Sequence, residues 1–264
     1  KCILEIDSFD LKSDTFSLKD STIVNSFNHN FKIFLAENPN SAQNLTFKTF
    51  QISNKIGFKA GSAQSLFNLA TVFLEQKDYE FAKFYFNKAL QLYTDLQDQN
   101  GILKTSLQLA IVHSKLYEIS KALDFSYQII DSKSQKYPQY VGGAWENLGL
   151  IFLEQNKLNE SYHYFKKSLT LYQTAKDTLG ILSANVNLAQ NLIQQKKYNS
   201  AFQNLNKGFC INNQLKSELY FAKIYYLYGE AFIGIEKFEE AQKVLKKAYF
   251  YYKNILDDNG IAQV

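Results

Sequence analysis

Five short blocks recur along this chain at a spacing that leaves few folds open: Asn68-Leu69-Ala70, Gln108-Leu109-Ala110, Asn147-Leu148-Gly149, Asn187-Leu188-Ala189 and, more weakly, Leu227-Tyr228-Gly229. The small residues that close them are separated by 40, 39, 40 and 40 residues. A register kept that closely over five copies marks a repeat architecture, in which each supersecondary unit stacks on the next. Twelve residues after each small residue comes a second one: Ala82, Ala122, Ser161, Ala201 and Ala241. Four further on stand Phe86, Ser126, Phe165, Leu205 and Leu245, and then Ala89, Ile129, Ser168, Gly208 and Ala248. Spacings of three and four put these on one face of a helix. Small side chains there let two helices approach, and the Phe or Leu between them fills the groove.

Each copy reads as helix, tight turn, helix. The turns are Gln76-Lys77-Asp78, Gln155-Asn156-Lys157, Gln195-Lys196-Lys197 and Glu236-Lys237, followed by the apolar anchors Tyr79, Leu158, Tyr198 and Phe238. Successive copies are joined through Asp98, Gly101 and Ile102, through Asp177, Gly180 and Ile181, and through Asp257, Gly260 and Ile261. The glycine of each link is expected to relax the backbone where one helix ends, with the polar residues solvating the connection. Only two prolines and eleven glycines occur in 264 residues, so few positions interrupt the helices.

These positions resemble the tetratricopeptide repeat. Trp145, Leu148, Gly149, Phe152, Ser161 and Phe165 fall on its aromatic, Leu-Gly, aromatic, small and aromatic positions, and Leu66, Leu69, Ala70, Phe73, Ala82, Phe86 and Ala89 match it more fully. The third copy departs, with Ser106, His113 and Ser126 where larger or aromatic residues are usual. The family's late proline is missing throughout, which a longer second helix and the forty-residue period explain together. The resemblance implies an all-α, right-handed solenoid of about six helical hairpins. Residues 1–21 read as a leader or capping segment, 22–61 as a degenerate first hairpin and 62–256 as five repeats. Ala42 and Gly61 lie 40 residues before Ala82 and Gly101, which places the degenerate copy. Residues 257–264 read as the start of a truncated further repeat, so more chain is expected beyond them. The period and the Asp-x-x-Gly-Ile links also resemble sensor regions of bacterial two-component histidine kinases and related regulators.

Composition removes several alternatives. The formal charge is +4, and no arginine occurs. Bidentate recognition of phosphate or guanine favours arginine, so nucleic acid is not an expected partner. No run of about eighteen apolar residues appears, so these residues are expected to make no membrane contact. No methionine occurs, the initiator included, which fits a processed or excised chain. Of the two cysteines, Cys2 reads as a terminal thiol and Cys210 as a packed one, in preference to a disulfide. The compartment stays open, with a periplasmic sensor region favoured over a cytoplasmic one. His29, His113 and His163 are too scattered for a metal site, and His113 falls on an inward aromatic position. Gly142-Gly143, read as preceding a helix, lacks the rest of a phosphate loop. Glu239-Glu240 suit a helix N-terminus, and the runs Tyr225-Tyr226 and Tyr249 to Tyr252 suit packing between repeats. No cofactor, metal or catalytic group is expected, and the region reads as non-enzymatic.

A stacked array aligns equivalent positions of its first helices along one concave surface. The residue two before each small landmark gives Asn68, Gln108, Asn147 and Asn187, four successive amides. A carboxamide offers a donor and an acceptor and can pair with both groups of an extended peptide backbone. In peptide-binding relatives asparagines at this place act as clamps, and the resemblance implies that role here. Helical spacing sets Gln64 and Thr71 beside Asn68, Lys104 beside Gln108, Glu146 beside Asn147, and Ser183 and Gln190 beside Asn187. The groove is mixed in charge and lacks the lysine and arginine set with which some relatives hold a terminal carboxylate. The expected partner is a peptide or protein segment in the groove. A cytoplasmic peptide-pheromone receptor and a scaffold that self-associates through its open last repeat are the alternatives.

Overall fold

The computed structural model describes residues 18–132 and 136–264, and their side chains except those at 18–20, 36, 37, 39 and 40. Among these residues every regular element is a helix. The first hairpin is α1 (Leu18–Glu37) with α2 (Pro39–Lys55), and the second α3 (Lys59–Glu75) with α4 (Tyr79–Asp95). Then come α5 (Gln99–Lys115) with α6 (Ile119–Asp131), and α7 (Pro138–Glu154) with α8 (Leu158–Ala175). They are followed by α9 (Thr178–Gln194) with α10 (Tyr198–Leu215), α11 (Glu218–Gly234) with α12 (Phe238–Asn254), and a last turn α13 (Asp258–Gln263).

One turn geometry joins nearly all of these helices. After α3, Asp78 N–H donates to the Phe73 carbonyl (2.8 Å) and Lys77 N–H to the Leu74 carbonyl (3.0 Å), the paired bonds of a Schellman motif. The residue between them must take a left-handed conformation. It is Lys77 there, and Gln97, Tyr117, Asn156, Lys176, Lys196, Lys216, Glu236 and Leu256 at the later turns; among the described residues glycine fills the role only at Gly57. A side chain in that region costs about 1 kcal/mol, which the two turn bonds and the packing around them offset. The residue closing one helix also opens the next. Asp98 and Asp177 accept from the N–H of Gly101 (3.1 Å) and Gly180 (3.0 Å), and Asp78 and Ser217 cap α4 and α11 in the same way.

The link glycines are therefore not helix terminators. Gly101, Gly180 and Gly260 lie inside the first turns of α5, α9 and α13, where a Cβ would overlap the ring of Tyr93, Tyr172 or Tyr252. The glycine makes room for a tyrosine near the end of the preceding helix. The fifth copy inverts the arrangement: Asn212 replaces the tyrosine, Tyr220 replaces the glycine, and the Asn212 amide bonds to both backbone groups of Ser217 (2.8 and 3.2 Å). Likewise a Cβ on Gly149 would come within 2.5 Å of the fully buried Phe165 ring, so the landmark small residue is a site of close helix approach.

The chain divides into two units, residues 1–129 and 130–264. In the first, α2 packs on α1 and α3, α4 packs on α3 and α5, and the first helices α1, α3 and α5 touch in succession. In the second, α8, α10 and α12 intervene in the same way while α7, α9 and α11 touch in succession. Phe86, Leu109 and Val112 form part of the core of the first unit, and Phe165, Leu188 and Leu205 part of the second.

Some expectations need adjustment and others hold. Cys210 is exposed rather than packed, and Cys2, with most of the segment read as a leader, lies outside the described residues. Gly142-Gly143 sit within α7 rather than before a helix. His113 is buried and stacked on Phe125, with ring centroids 5.5 Å apart, and Tyr225 stacks on Tyr251 between α11 and α12. Glu239 and Glu240 occupy the first turn of α12.

Candidate functional site

In the first unit the amides meet on the surface shared by α1, α3 and α5. Asn68 is buried, with only 3% of its surface exposed. Its Nδ2 donates to Asn28 Oδ1 (3.0 Å), and its Oδ1 accepts from Gln64 Nε2 (2.8 Å). Gln64 Oε1 in turn accepts from the Tyr93 hydroxyl (3.0 Å) and from Lys104 Nζ (2.9 Å). The Lys104 ammonium lies 4.1 Å from the centre of the Phe67 ring and 5.4 Å from that of Tyr93, a favourable place for a cation. Burial lowers its pKa from 10.5 to about 8, with Lys32 adding to the shift and Asp98 opposing it. Thr22, Asn25, Asn28, His29 and Gln64 line a polar groove beside this network.

In the second unit the centre is a carboxylate. Glu146, on α7, accepts from the Asn187 amide (2.6 Å) and the Ser183 hydroxyl (2.5 Å) at Oε1, and from the Tyr172 hydroxyl (2.6 Å) at Oε2. Corresponding positions in the other copies are Phe67, Leu107, Val186 and Tyr226, so the acid replaces an apolar side chain. Burial raises the Glu146 pKa; the donors Ser183 and Tyr172 and the charge of Lys223 oppose that rise, and Asp177 adds to it. Burial and the adjoining Glu146 charge also push the Tyr172 hydroxyl far above its ordinary value. On the same helix row Glu230 accepts from the Tyr226 hydroxyl (3.1 Å), and burial raises its pKa too.

The anticipated residues thus fall into different situations. Gln64, Asn68 and Lys104 form one connected network, and Glu146 and Asn187 belong to another. Asn147 is buried (4% exposed), whereas Gln108 and Gln190 are partly buried and lie outside the two networks. The Thr71 hydroxyl bonds back to the Phe67 carbonyl of its own helix (2.9 Å). Sequence reasoning missed Asn28, although it stands 40 residues before Asn68, because Asn30 occupies the landmark position that is Ala or Gly in the later copies. It also missed Tyr93 and Tyr172, each eleven residues after a second small landmark. Away from these surfaces, Glu118 bonds His113 (2.8 Å), Lys121 (2.8 Å) and Lys83 (3.0 Å), tying α4 to the turn after α5. Among the described residues no group of three His, Cys, Asp or Glu side chains is placed to hold a metal ion, and no helix is long and apolar enough to cross a membrane.

Tetratricopeptide repeat models match residues 63–96, 142–174 and 222–249, which are hairpins α3/α4, α7/α8 and α11/α12. A Rap protein solved in complex with competence and sporulation factor is 16% identical, with a TM-score of 0.70 over 98% of this chain and 75% of that one. The apo form of RapI is 12% identical, with a TM-score of 0.69 over 93% and 87%. BtubC of P. vanneervenii is 14% identical, with a TM-score of 0.61 over 92% and 94%. At these identities the likeness is one of fold. The chain is also 27% identical over 222 residues to the type II methyltransferase M.CeqI of Rhodococcus hoagii, a match that takes in 74% of this chain and spans 43% of that protein's length. The matched segments are tetratricopeptide repeats, and repeat spacing and hairpin geometry give the other helical hairpins the same tetratricopeptide-like fold.

Proposed function

We propose that the chain is a non-catalytic recognition array in which the first-helix surface of each unit, taken by itself, binds a peptide or protein segment. The observation that carries this reading is the concentration of amide, hydroxyl and charged side chains on those surfaces, where Gln64, Asn68 and Lys104 in one unit and Glu146, Ser183 and Asn187 in the other are held by hydrogen bonds. Polar groups held in place beforehand lose little entropy when a ligand arrives, which favours binding. An extended segment, with one donor and one acceptor per residue, suits such a surface. Gln108 and Gln190, outside the internal networks, and the Oδ1 end of Asn187, which does not face Glu146, are the amide groups available for direct contact.

The array then serves as the sensing or interaction region of a larger signalling protein, as the repeat style suggests. A peptide-responsive regulator is the second reading, and the likeness to a Rap protein solved with competence and sporulation factor favours it. The methyltransferase likeness covers under half of that protein, so it is equally compatible with an array that accompanies a catalytic region.

The test is a panel of N-acetylated, C-amidated decapeptides of varied sequence, screened against the whole chain by fluorescence anisotropy. Gln190→Ala and Asn187→Ala, both in the second unit, are each expected to weaken the tightest peptide held there about tenfold, or about 1.4 kcal/mol, with unchanged helical circular dichroism. Affinity that stays the same in both variants refutes the surface reading. Scattering mass that rises with chain concentration while no peptide binds would favour a self-associating scaffold instead.

A further inference from the structure

We propose that Glu146 is a positioning residue: it fixes which end of Asn187 faces inward and so sets the second unit's surface to receive N–H donors. The inference rests on the recognition reading above and names the ligand chemistry for one of its surfaces. An ionised carboxylate only accepts hydrogen bonds. The 2.6 Å contact between Asn187 and Glu146 Oε1 therefore requires the Asn187 Nδ2 end. The choice of amide orientation follows from chemistry, independent of how similar the two ends of a carboxamide look.

Once Nδ2 is pinned, Asn187 Oδ1 faces away from the carboxylate and takes no hydrogen bond among the described residues. Ser183 and Tyr172 behave alike. Each spends its one hydroxyl proton on Glu146, at 2.5 and 2.6 Å, which leaves oxygen lone pairs; those of Ser183 face a part-exposed surface, while Tyr172 is buried. Asn187 and Ser183, both on α9, are thereby turned into acceptors beside a negative charge. The ligand chemistry that matches is N–H: a backbone amide of an extended segment, or an ammonium or guanidinium group. The charged and titratable groups facing Glu146 are Tyr172 on α8, Asp177 before α9, and Tyr220 and Lys223 on α11. Lys223 offsets part of the negative potential, which favours a neutral backbone N–H over a cationic group.

Two measurements on the whole chain test this. First, the side-chain amide resonances of Asn187 are followed in 15N-asparagine-labelled protein. One proton is expected well downfield in the wild type, as for a bond to a carboxylate, and to move back in Glu146→Gln. The glutamine can donate through its own Nε2 and so releases the constraint. Second, the tightest decapeptide from the acetylated, amidated panel is remade with each backbone N–H methylated in turn, and with each basic side chain replaced by norleucine. One N-methyl position is expected to cost wild type tenfold or more and to cost Glu146→Gln little. Asn187→Ala removes the acceptor without touching Glu146, should the glutamine variant fail to fold, and is expected to erase the same penalty.

An Asn187 resonance that is the same in wild type and Glu146→Gln overturns the proposal. So does an N-methyl penalty that persists in Glu146→Gln or Asn187→Ala while overall affinity falls, because that pattern belongs to a merely structural glutamate. A penalty found only at basic side chains overturns the backbone assignment in favour of a cationic group. If no peptide binds, the recognition reading fails, and the resonance alone decides whether Glu146 pins Asn187.

Discussion

The two units build their first-helix surfaces from the same register and arrive at opposite hydrogen-bond polarity. In the first, a neutral amide stands at the centre: Gln64 Oε1 accepts from an ammonium and a phenol, and Gln64 Nε2 donates to Asn68 Oδ1. In the second, a carboxylate stands at the centre and draws every neighbouring proton toward itself. Tyr93 and Tyr172 occupy equivalent places, each packed on a link glycine, and each donates its hydroxyl to the central group. Lys104 and Ser183 are likewise equivalent, 40 residues from the centre in one unit and 37 in the other. The scaffold fixes where the tyrosines and the Lys104/Ser183 position stand, and two exchanges move the centre: Gln64 has Gly143 as its counterpart, and Glu146 has Phe67. What remains in the first unit is mostly N–H, from Lys104 and the unused amide protons. In the second it is mostly oxygen.

The largest effect should come from removing the two centres. Glu146→Ala strips the acceptor from three donors and is expected to destabilise the chain by about 3 kcal/mol. Gln64→Ala, which removes a neutral centre, should cost about 1–2 kcal/mol. Equal losses in urea unfolding would break the comparison. The tyrosines sharpen it. Tyr172→Phe keeps the ring on Gly180 but loses a bond to a charged acceptor, worth about 2 kcal/mol, whereas Tyr93→Phe loses a bond to an amide, worth about 1 kcal/mol.

The units should also answer pH with opposite sign. Glu146 has a raised pKa in the folded chain, so the folded state holds its proton more tightly. Stability then falls as pH rises from the ordinary carboxylate range through that raised value, and Glu146→Gln should remove the fall. Lys104 is lowered to about 8 from 10.5, so between those values the unfolded chain binds more protons. Stability therefore rises with pH across that window, and Lys104→Met should remove the rise. Each slope is at most about 1.4 kcal/mol per pH unit for one group, and is read as the difference between wild type and variant.

The smallest expected effect lies in the turns, which the units share except at one place. Lys196→Gly relieves a left-handed residue at φ 59° and should stabilise by up to about 1 kcal/mol, while Gly57→Ala introduces the same strain at φ 69° and should destabilise by as much. Shifts of one sign in thermal melting would show that these turns are not equivalent.

How much of this was legible follows from which residues carry it. The helical hairpins were, because Ala70, Phe86 and their copies must be small or large for helices to pack at a fixed spacing. The link glycines were legible as positions but not in role. Conformational freedom and absence of a side chain are both reasons to use glycine, and only the Tyr93 and Tyr172 rings decide between them. The left-handed lysines carry no sequence signal at all, since lysine gives no hint of a positive φ. Asn68 and Asn187 were found by spacing. That both are engaged internally depends on partners 40 and 41 residues away, Asn28 and Glu146, whose orientation periodicity does not specify. Glu146 itself was visible as an acid beside Asn147, but its neighbours across the helices were not.

The contrast between the two surfaces is tested most directly by following the side-chain amide resonances of Asn68 and Asn187 together across the acid range in 15N-asparagine-labelled chain. The account predicts that Asn187 follows a single carboxyl titration above the ordinary carboxylate range while Asn68, held by Asn28 and Gln64, does not move with it. Two amides that titrate together, or an Asn187 resonance indifferent to pH throughout, would contradict it.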